Sequence, residues 1–257
     1  MQTIKINDSN YISFDNTEWN SRALGYLTNE IYDIQFDSIE LANELFNQFE
    51  TNCLNNNIVY TSLRINPDSK IKKEILERFG FINVETSILV NGSLKNVKEN
   101  KILSKFKFTL RKCEDTDVNT VKQIASNDFN HGRFFEDHMI DADVAKLRNS
   151  NWIDDLRKKS KVLVGEYDGI VFGFMALKTN NLIVNLELGG VDSKYSHLAY
   201  SFWYKIFEYL KNENNLSVNA LISAHNISVI NLYSFFDFKF KESYIGYRKL
   251  RKTNFKL

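Results

Sequence analysis

The chain of 257 residues contains one proline, two cysteines and ten glycines, and its charges nearly cancel, with 33 Lys and Arg against 32 Asp and Glu. Each scarcity narrows the field. Cys53 and Cys113 lie far apart and form no CxxC pair, so neither a disulfide framework nor a cysteine zinc site is expected. Such cysteine usage fits a reducing, cytoplasmic setting. A formal charge of +1 gives no electrostatic ground for nucleic acid or an anionic membrane as partner. No apolar run approaches the ~18 residues of a membrane-spanning helix, so no membrane span is expected. The opening MQTIKINDSNYISF holds no apolar stretch of signal-peptide length. His131, Asp137 and His138 do not match the spacing of a compact ligand set, and no metal is expected.

What remains is an ordinary globular composition, 43% hydrophobic and 25% charged, long enough for one large domain or two modest ones. From Ser38 to Cys53 the apolar residues Ile39, Leu41, Ala42, Leu45, Phe46 and Phe49 recur at helical spacing, with Ser38 or Asp37 as N-cap. Ile58–Ile65 reads as a β-branched strand broken by Pro67 and Asp68. A helix near Lys70–Arg78 and the turn Phe79-Gly80-Phe81 lead to a strand through Val90. Residues 91–104 are polar and weakly periodic, which makes them the expected linker between a domain at 1–95 and another at 105–257.

The second half begins with an alternating strand at Lys105–Lys112 and a helix over Asp117–Ala125. Asp168-Gly169 between Val162–Tyr167 and Ile170–Leu177 is a hairpin signal. A strand at Leu182–Val191, a helix at Ser196–Asn212, a strand at Ala220–Ser223, a helix at Ile227–Phe236 and a strand at Phe240–Tyr247 complete the chain. The order strand, helix, Phe-x-Phe turn, strand occurs at 58–90 and again at 219–247. A common αβ unit and a degenerate internal copy are both open readings of that echo.

Two stretches carry chemistry. Leu186-Glu187-Leu188-Gly189-Gly190-Val191 is a strand that ends in two glycines, leaving backbone without side-chain cover. Asn226 precedes Tyr233 by seven residues, which sets both on one face of a helix two turns apart, just before Phe236-Asp237-Phe238. This grammar resembles the C-terminal half of the GNAT acyl-CoA N-acyltransferases. The resemblance implies an α/β chain with a GNAT fold, a mixed central sheet flanked by helices, preceded by an N-terminal partial GNAT-like α/β half. It also implies acetyl-CoA as co-substrate and a primary amine as acceptor.

Carried onto this sequence, Leu188, Gly189, Gly190 and Val191 would pair with the pantetheine arm. Ser196, His197, Leu198, Ala199, Tyr200 and Ser201 would form the diphosphate loop at a helix N-terminus. The family's basic or amide residue and first glycine of that loop are replaced here by Ser196 and His197. Asn226 would hold the pantetheine or acetyl region, and Tyr233 would protonate the leaving thiolate; the alternative for Tyr233 is a core aromatic. Glu187 is the candidate base, against an outward carboxylate with water in its place.

A further stretch, Asp128-Phe129-Asn130-His131-Gly132-Arg133-Phe134-Phe135-Glu136-Asp137, precedes Trp152-Ile153. Together with Trp19-Asn20-Ser21 and Leu24-Gly25-Tyr26 it resembles the TDP-fucosamine acetyltransferase group of GNAT proteins. That resemblance implies a nucleotide-linked amino sugar of surface-polysaccharide synthesis as acceptor. Arg133, Phe134 and Asp137 would then contact it. Core packing or a dimer interface is the competing reading of this segment, so a homodimer is open.

Overall fold

A computed structural model describes residues 1–252. In chain order its elements are β1 (Gln2–Asn7), β2 (Asn10–Asn16), α1 (Glu18–Leu24), β3 (Thr28–Gln35), α2 (Ile39–Asn55), β4 (Tyr60–Ile65), α3 (Lys70–Arg78) and β5 (Ile82–Ser93). They continue with β6 (Thr109–Lys112), α4 (Val118–Asn127), α5 (Arg133–Glu136), α6 (Ala142–Lys159), β7 (Lys161–Tyr167), β8 (Ile170–Asn180) and β9 (Ile183–Val191). Last come α7 (Ala199–Asn212), β10 (Ser217–Ser223), α8 (Ile227–Phe235) and β11 (Lys239–Leu250). The chain forms two compact units, and the boundaries between them fall inside β5, near α5, and inside β11.

The first unit runs from Met1 to Ser87 and also takes Glu136–Met139 and the chain from Ser243. Its strand order is β1-β2-β3-β4-β11-β5, with β1–β2, β2–β3 and β4–β11 antiparallel and β3–β4 parallel. The parallel step is made through α2. Ser38 caps that helix, its Oγ accepting from the Leu41 N–H at 3.3 Å. Its apolar face buries Leu45, Phe46, Phe49 and Cys53 in one core with Ile12, Ile31, Leu63, Ile75 and Phe81. The opposite side of β4 and β11 is polar, because Ser62 and Arg248 pair across the strands and Arg64 faces Gly246. Arg64 reaches Glu85 at 2.8 Å there, and Gly246 is needed beneath them: a Cβ would stand 3.0 Å from the Glu85 carboxylate.

The second unit has strand order β5-β10-β9-β8-β7-β6, with β9 and β10 parallel and the strands from β9 to β6 antiparallel. The hairpin from β7 to β8 turns at Asp168 (φ 49°) and Gly169 (φ 77°), the two left-handed residues that a tight hairpin requires. Phe172, Phe202, Phe207, Val184 and Val218 form its largest core, with α7 laid across the sheet. Residues 91–104, expected as a linker, are instead folded in. β5 continues to Ser93, two short 3-10 turns follow, and Leu94, Val97 and Leu103 are buried in that core. The strand expected from Lys105 starts only at Thr109.

At the sheet's end Arg111 lies between two carboxylates, bonding Asp117 at 2.6 Å and Glu166 through Nε at 2.8 Å. Asp117 also accepts the Glu114 N–H at 2.8 Å and so closes a capping box on the short 3-10 turn that leads into α4. The bonded Arg111 guanidinium holds the Asp117 carboxyl below the usual carboxylate range. A carboxyl depressed in the folded state contributes stability above its unfolded pKa, and loses it as the pH falls through the folded value. Asp117→Asn is therefore expected to cost about 1 kcal/mol at neutral pH. It should cost nothing in acid below the folded pKa, as urea midpoints at the two pH values will show.

Candidate functional site

The site grows out of one irregularity. β9 and β10 pair in parallel from Ile183↔Ser217 to Leu186↔Ala220 and then part, although both strands continue. On its other side β9 stays bonded to β8 up to Gly173↔Val191, with a bulge at Glu187, since Leu177 pairs Leu186 and Ala176 pairs Leu188. A bulge bends and twists its strand, and this one sits at the residue where the parting begins. Glu187, Leu188, Gly189, Gly190 and Val191 are all partly exposed along the edge that β10 leaves open.

The glycines of this edge are demanded from below. A Cβ on Gly189 would collide with the Met175 side chain and come within 3.1 Å of the Phe174 carbonyl. One on Gly190 would stand 3.0 Å from the Phe129 ring. Glycine here serves close packing as well as open backbone. The Glu187 carboxylate accepts a short hydrogen bond from Ser160 Oγ, at the C-cap of α6.

After Val191 the chain makes a 3-10 turn over Ser193–Leu198 and enters α7 at Ala199. Ser196 and His197 are exposed, Leu198 is buried, and Ala199 and Tyr200 are half-buried. Tyr200 meets the Phe235 ring of α8 edge-on at 5.0 Å. Ser201 is buried with no hydrogen-bond partner for its hydroxyl. Two amides that could have faced a diphosphate are already taken by carboxylates. The Ser193 N–H donates to Asp128 at 3.0 Å and the Lys194 N–H to Asp192 at 2.9 Å. These anions oppose a polyphosphate at short range. If this loop carries the diphosphate of an acyl-CoA, Asp128→Asn should tighten its binding about three- to tenfold at low salt, an effect that shrinks as ionic strength rises. Titration calorimetry at two salt concentrations checks it.

Asn226 is the N-cap of α8, its side-chain oxygen accepting the Val229 N–H at 3.2 Å. Two turns on, Tyr233 is 3% exposed and packs on the Phe238 ring at 5.0 Å. Its hydroxyl oxygen accepts from Trp203 Nε1 at 3.4 Å, and burial pushes its pKa up to about 12. Tyr233, Asn226, the β9 edge and the loop at 196–201 all belong to the second unit.

The three residues expected at the acceptor are divided. Arg133 and Phe134 are buried in the second unit, the guanidinium 5.5 Å from the neighbouring ring centroid. Asp137 lies in the first unit, its side chain fully buried. It accepts from Arg248 Nε at 2.9 Å and from the Met139 N–H at 3.1 Å. That carboxylate is spent on the fold, so direct contact with an acceptor does not agree with its position. Arg148 escapes a reading by motif: it stacks on Trp152 at 4.3 Å and on Phe134 at 4.9 Å. The one signal for it is Arg148 and Trp152 at helical i, i+4 spacing.

No protein-family model matches the chain, and no curated protein matches it by sequence. Solved structures match it by fold. A conserved protein of unknown function from Staphylococcus epidermidis aligns over 98% of this chain and 95% of its own, with a TM-score of 0.64 and 15% identity. A GCN5-related N-acetyltransferase from Sphaerobacter thermophilus aligns over 97% of this chain and 79% of its own, with a TM-score of 0.67 and 13% identity. A tandem GNAT protein from the clavulanic acid biosynthesis pathway covers 88% of this chain and 76% of its own, at 0.59 and 10%. Identities this low speak for architecture alone. The sheet order, the parted parallel strands and these neighbours agree: over nearly its whole length the chain has the fold of the GCN5-related N-acetyltransferases.

Proposed function

We propose that the chain transfers an acyl group, by resemblance the acetyl group of acetyl-CoA, to a primary amine. The observation that carries this reading is the parting of β9 from β10 after Leu186↔Ala220. An open strand edge offers alternating N–H and C=O groups, which suits an extended arm bearing amides. Acyl-CoA would supply an activated thioester and a thiolate leaving group. The open edge at Gly189–Val191 presents backbone N–H groups to the thioester carbonyl. Glu187, or a water in its place, takes the proton of the amine, and Tyr233 supports the departing thiolate.

The acceptor we favour is a nucleotide-linked amino sugar. Its support is the resemblance of Asp128–Asp137 and Trp152-Ile153 to that group of enzymes. Arg133, Phe134, Arg148 and Trp152 do pack as one aromatic and guanidinium cluster within the second unit. A second reading, a degenerate, non-catalytic GNAT-like binding domain, is favoured by the carboxylates seated on the Ser193 and Lys194 amides, which oppose a CoA diphosphate. Calorimetry with acetyl-CoA, followed by thiol release across a panel of amino sugars and simple amines, separates the readings. No binding at millimolar ligand ends the first reading and leaves the second. Binding without release of thiol for any amine favours the second.

A further inference from the structure

The two units contain the same device. In the first, β3 and β4 pair in parallel from Thr28↔Tyr60 to Ile31↔Leu63 and then part. In the second, β9 and β10 do so from Ile183↔Ser217 to Leu186↔Ala220. Each time the next residue is a bulge against the preceding antiparallel strand, Tyr32 against β2 and Glu187 against β8. Each time a side chain six residues past the last pair caps the following helix, Ser69 for α3 and Asn226 for α8. Both helices lead into a Phe-x-Phe turn with a left-handed centre, Gly80 (φ 76°) and Asp237 (φ 59°). By this correspondence Ile34 stands where Gly189 stands, and Lys72 stands where Val229 stands.

The parting of β3 and β4 opens a cavity of about 180 Å³, lined among others by Tyr32, Ile34, Arg64, Ser69 and Lys72. Here the two units differ. Lys72 Nζ donates to the Ile34 carbonyl at 2.6 Å, on the strand edge that β4 has left. Val229 has no donor and can make no such bond. An ammonium donor binds a carbonyl more strongly than the neutral amide N–H of an incoming ligand would. Its four-carbon stem also takes up the space beside that carbonyl.

We propose that the first unit holds a second, latent cleft for an extended amide-bearing arm of the pantetheine type, and that Lys72 keeps it shut. The ammonium occupies the strand carbonyl that the arm's N–H would take. The identity of the ligand rests on the acyl-CoA reading of the second unit; the latch itself does not.

The test is calorimetric stoichiometry with CoA on the full chain, comparing wild type with Lys72→Ala. The alanine variant is expected to bind one equivalent more than wild type. CoA should also slow hydrogen exchange in peptides spanning Tyr32–Gln35 in the variant alone. A variant that gains no equivalent overturns the latch, as does a wild type that already protects Tyr32–Gln35. Wild type binding none beside a variant binding one keeps the latch and removes the functional reading of the second unit. One equivalent in both does the reverse. Should the alanine variant not fold, Lys72→Ser shortens the side chain, removes the ammonium and makes the same comparison.

Discussion

Tyr233→Phe should lower kcat by about 10²–10⁴, the range of a general acid, and leave acyl-CoA affinity unchanged. The hydroxyl's surroundings make this a demanding prediction. Its oxygen is occupied by the Trp203 N–H, so its proton points away from Trp203 and is available to another acceptor. Burial holds its pKa at about 12, so the phenol stays protonated throughout the neutral range. Against a thiol of ordinary pKa, complete transfer would run uphill by roughly 5 kcal/mol. On the proposed reading Tyr233 would therefore serve as a hydrogen-bond donor to the nascent thiolate, with water completing the protonation. The pH profile of kcat should show no alkaline limb from this residue below about pH 10.

The same phenol bears on stability with a definite sign. A pKa raised on folding means a contribution fully present below the unfolded value and lost as the pH rises through the folded one. Tyr233 should therefore weaken the wild type as the pH climbs from the ordinary tyrosine range through about 12, a loss that the Phe variant does not share. The variant also leaves the buried Trp203 N–H without its partner, at a cost of about 1–3 kcal/mol. Urea unfolding of Tyr233→Phe beside Trp203→Phe separates that cost from the kinetic effect. A variant that keeps wild-type kcat makes Tyr233 a core aromatic and nothing more.

Asp137→Ala is expected to destabilise the first unit by about 3–5 kcal/mol, because it strands a buried guanidinium. The Asp137 and Arg248 side chains are 0% and 5% exposed, so water cannot replace the lost partner. The half-buried Tyr26 phenol is raised by desolvation and by the nearby Asp137 charge, which places it in the same buried neighbourhood. Arg248→Met paired with Asp137→Leu should recover much of the loss, since a matched apolar pair carries no desolvation penalty. Denaturant midpoints of the single and double variants measure the coupling. A change in acceptor KM without a change in stability would instead restore Asp137 as a substrate contact.

The sequence was legible where pattern and packing agree. α2, α3, α4 and the hairpin from β7 to β8 follow from apolar spacing and turn residues, and α3 has the expected bounds. The β9 edge and the Asn226–Tyr233 helix were legible too, because their residue types are tied to backbone geometry. β1 and β2 were not: their short runs, QTIKIN and NYISFDN, are mostly polar and end at asparagines. α6 was missed because its inward residues Ala145, Arg148, Asn149, Ile153 and Leu156 include two that count as polar. The apparent linker misled for a similar reason, since three buried residues, Leu94, Val97 and Leu103, anchor an otherwise polar stretch. A motif points Asp137 at an acceptor, and its pairing with Arg248, far along the chain, is not legible in that motif.

The last strand has one consequence for how the chain must fold. β4 finds its second neighbour in β11, through pairs from Ile245↔Ile65 to Leu250↔Tyr60. Arg251, just beyond, bonds Glu50 at 2.7 Å and Thr61 at 2.7 Å. The first unit therefore waits for residues made after those of the second. A ribosome releasing this chain from its N-terminus cannot complete the first unit first, as domain-by-domain folding would have it. Until the final strand arrives, β4 is an open edge, and closing that contact across most of the chain is the slow, long-range step.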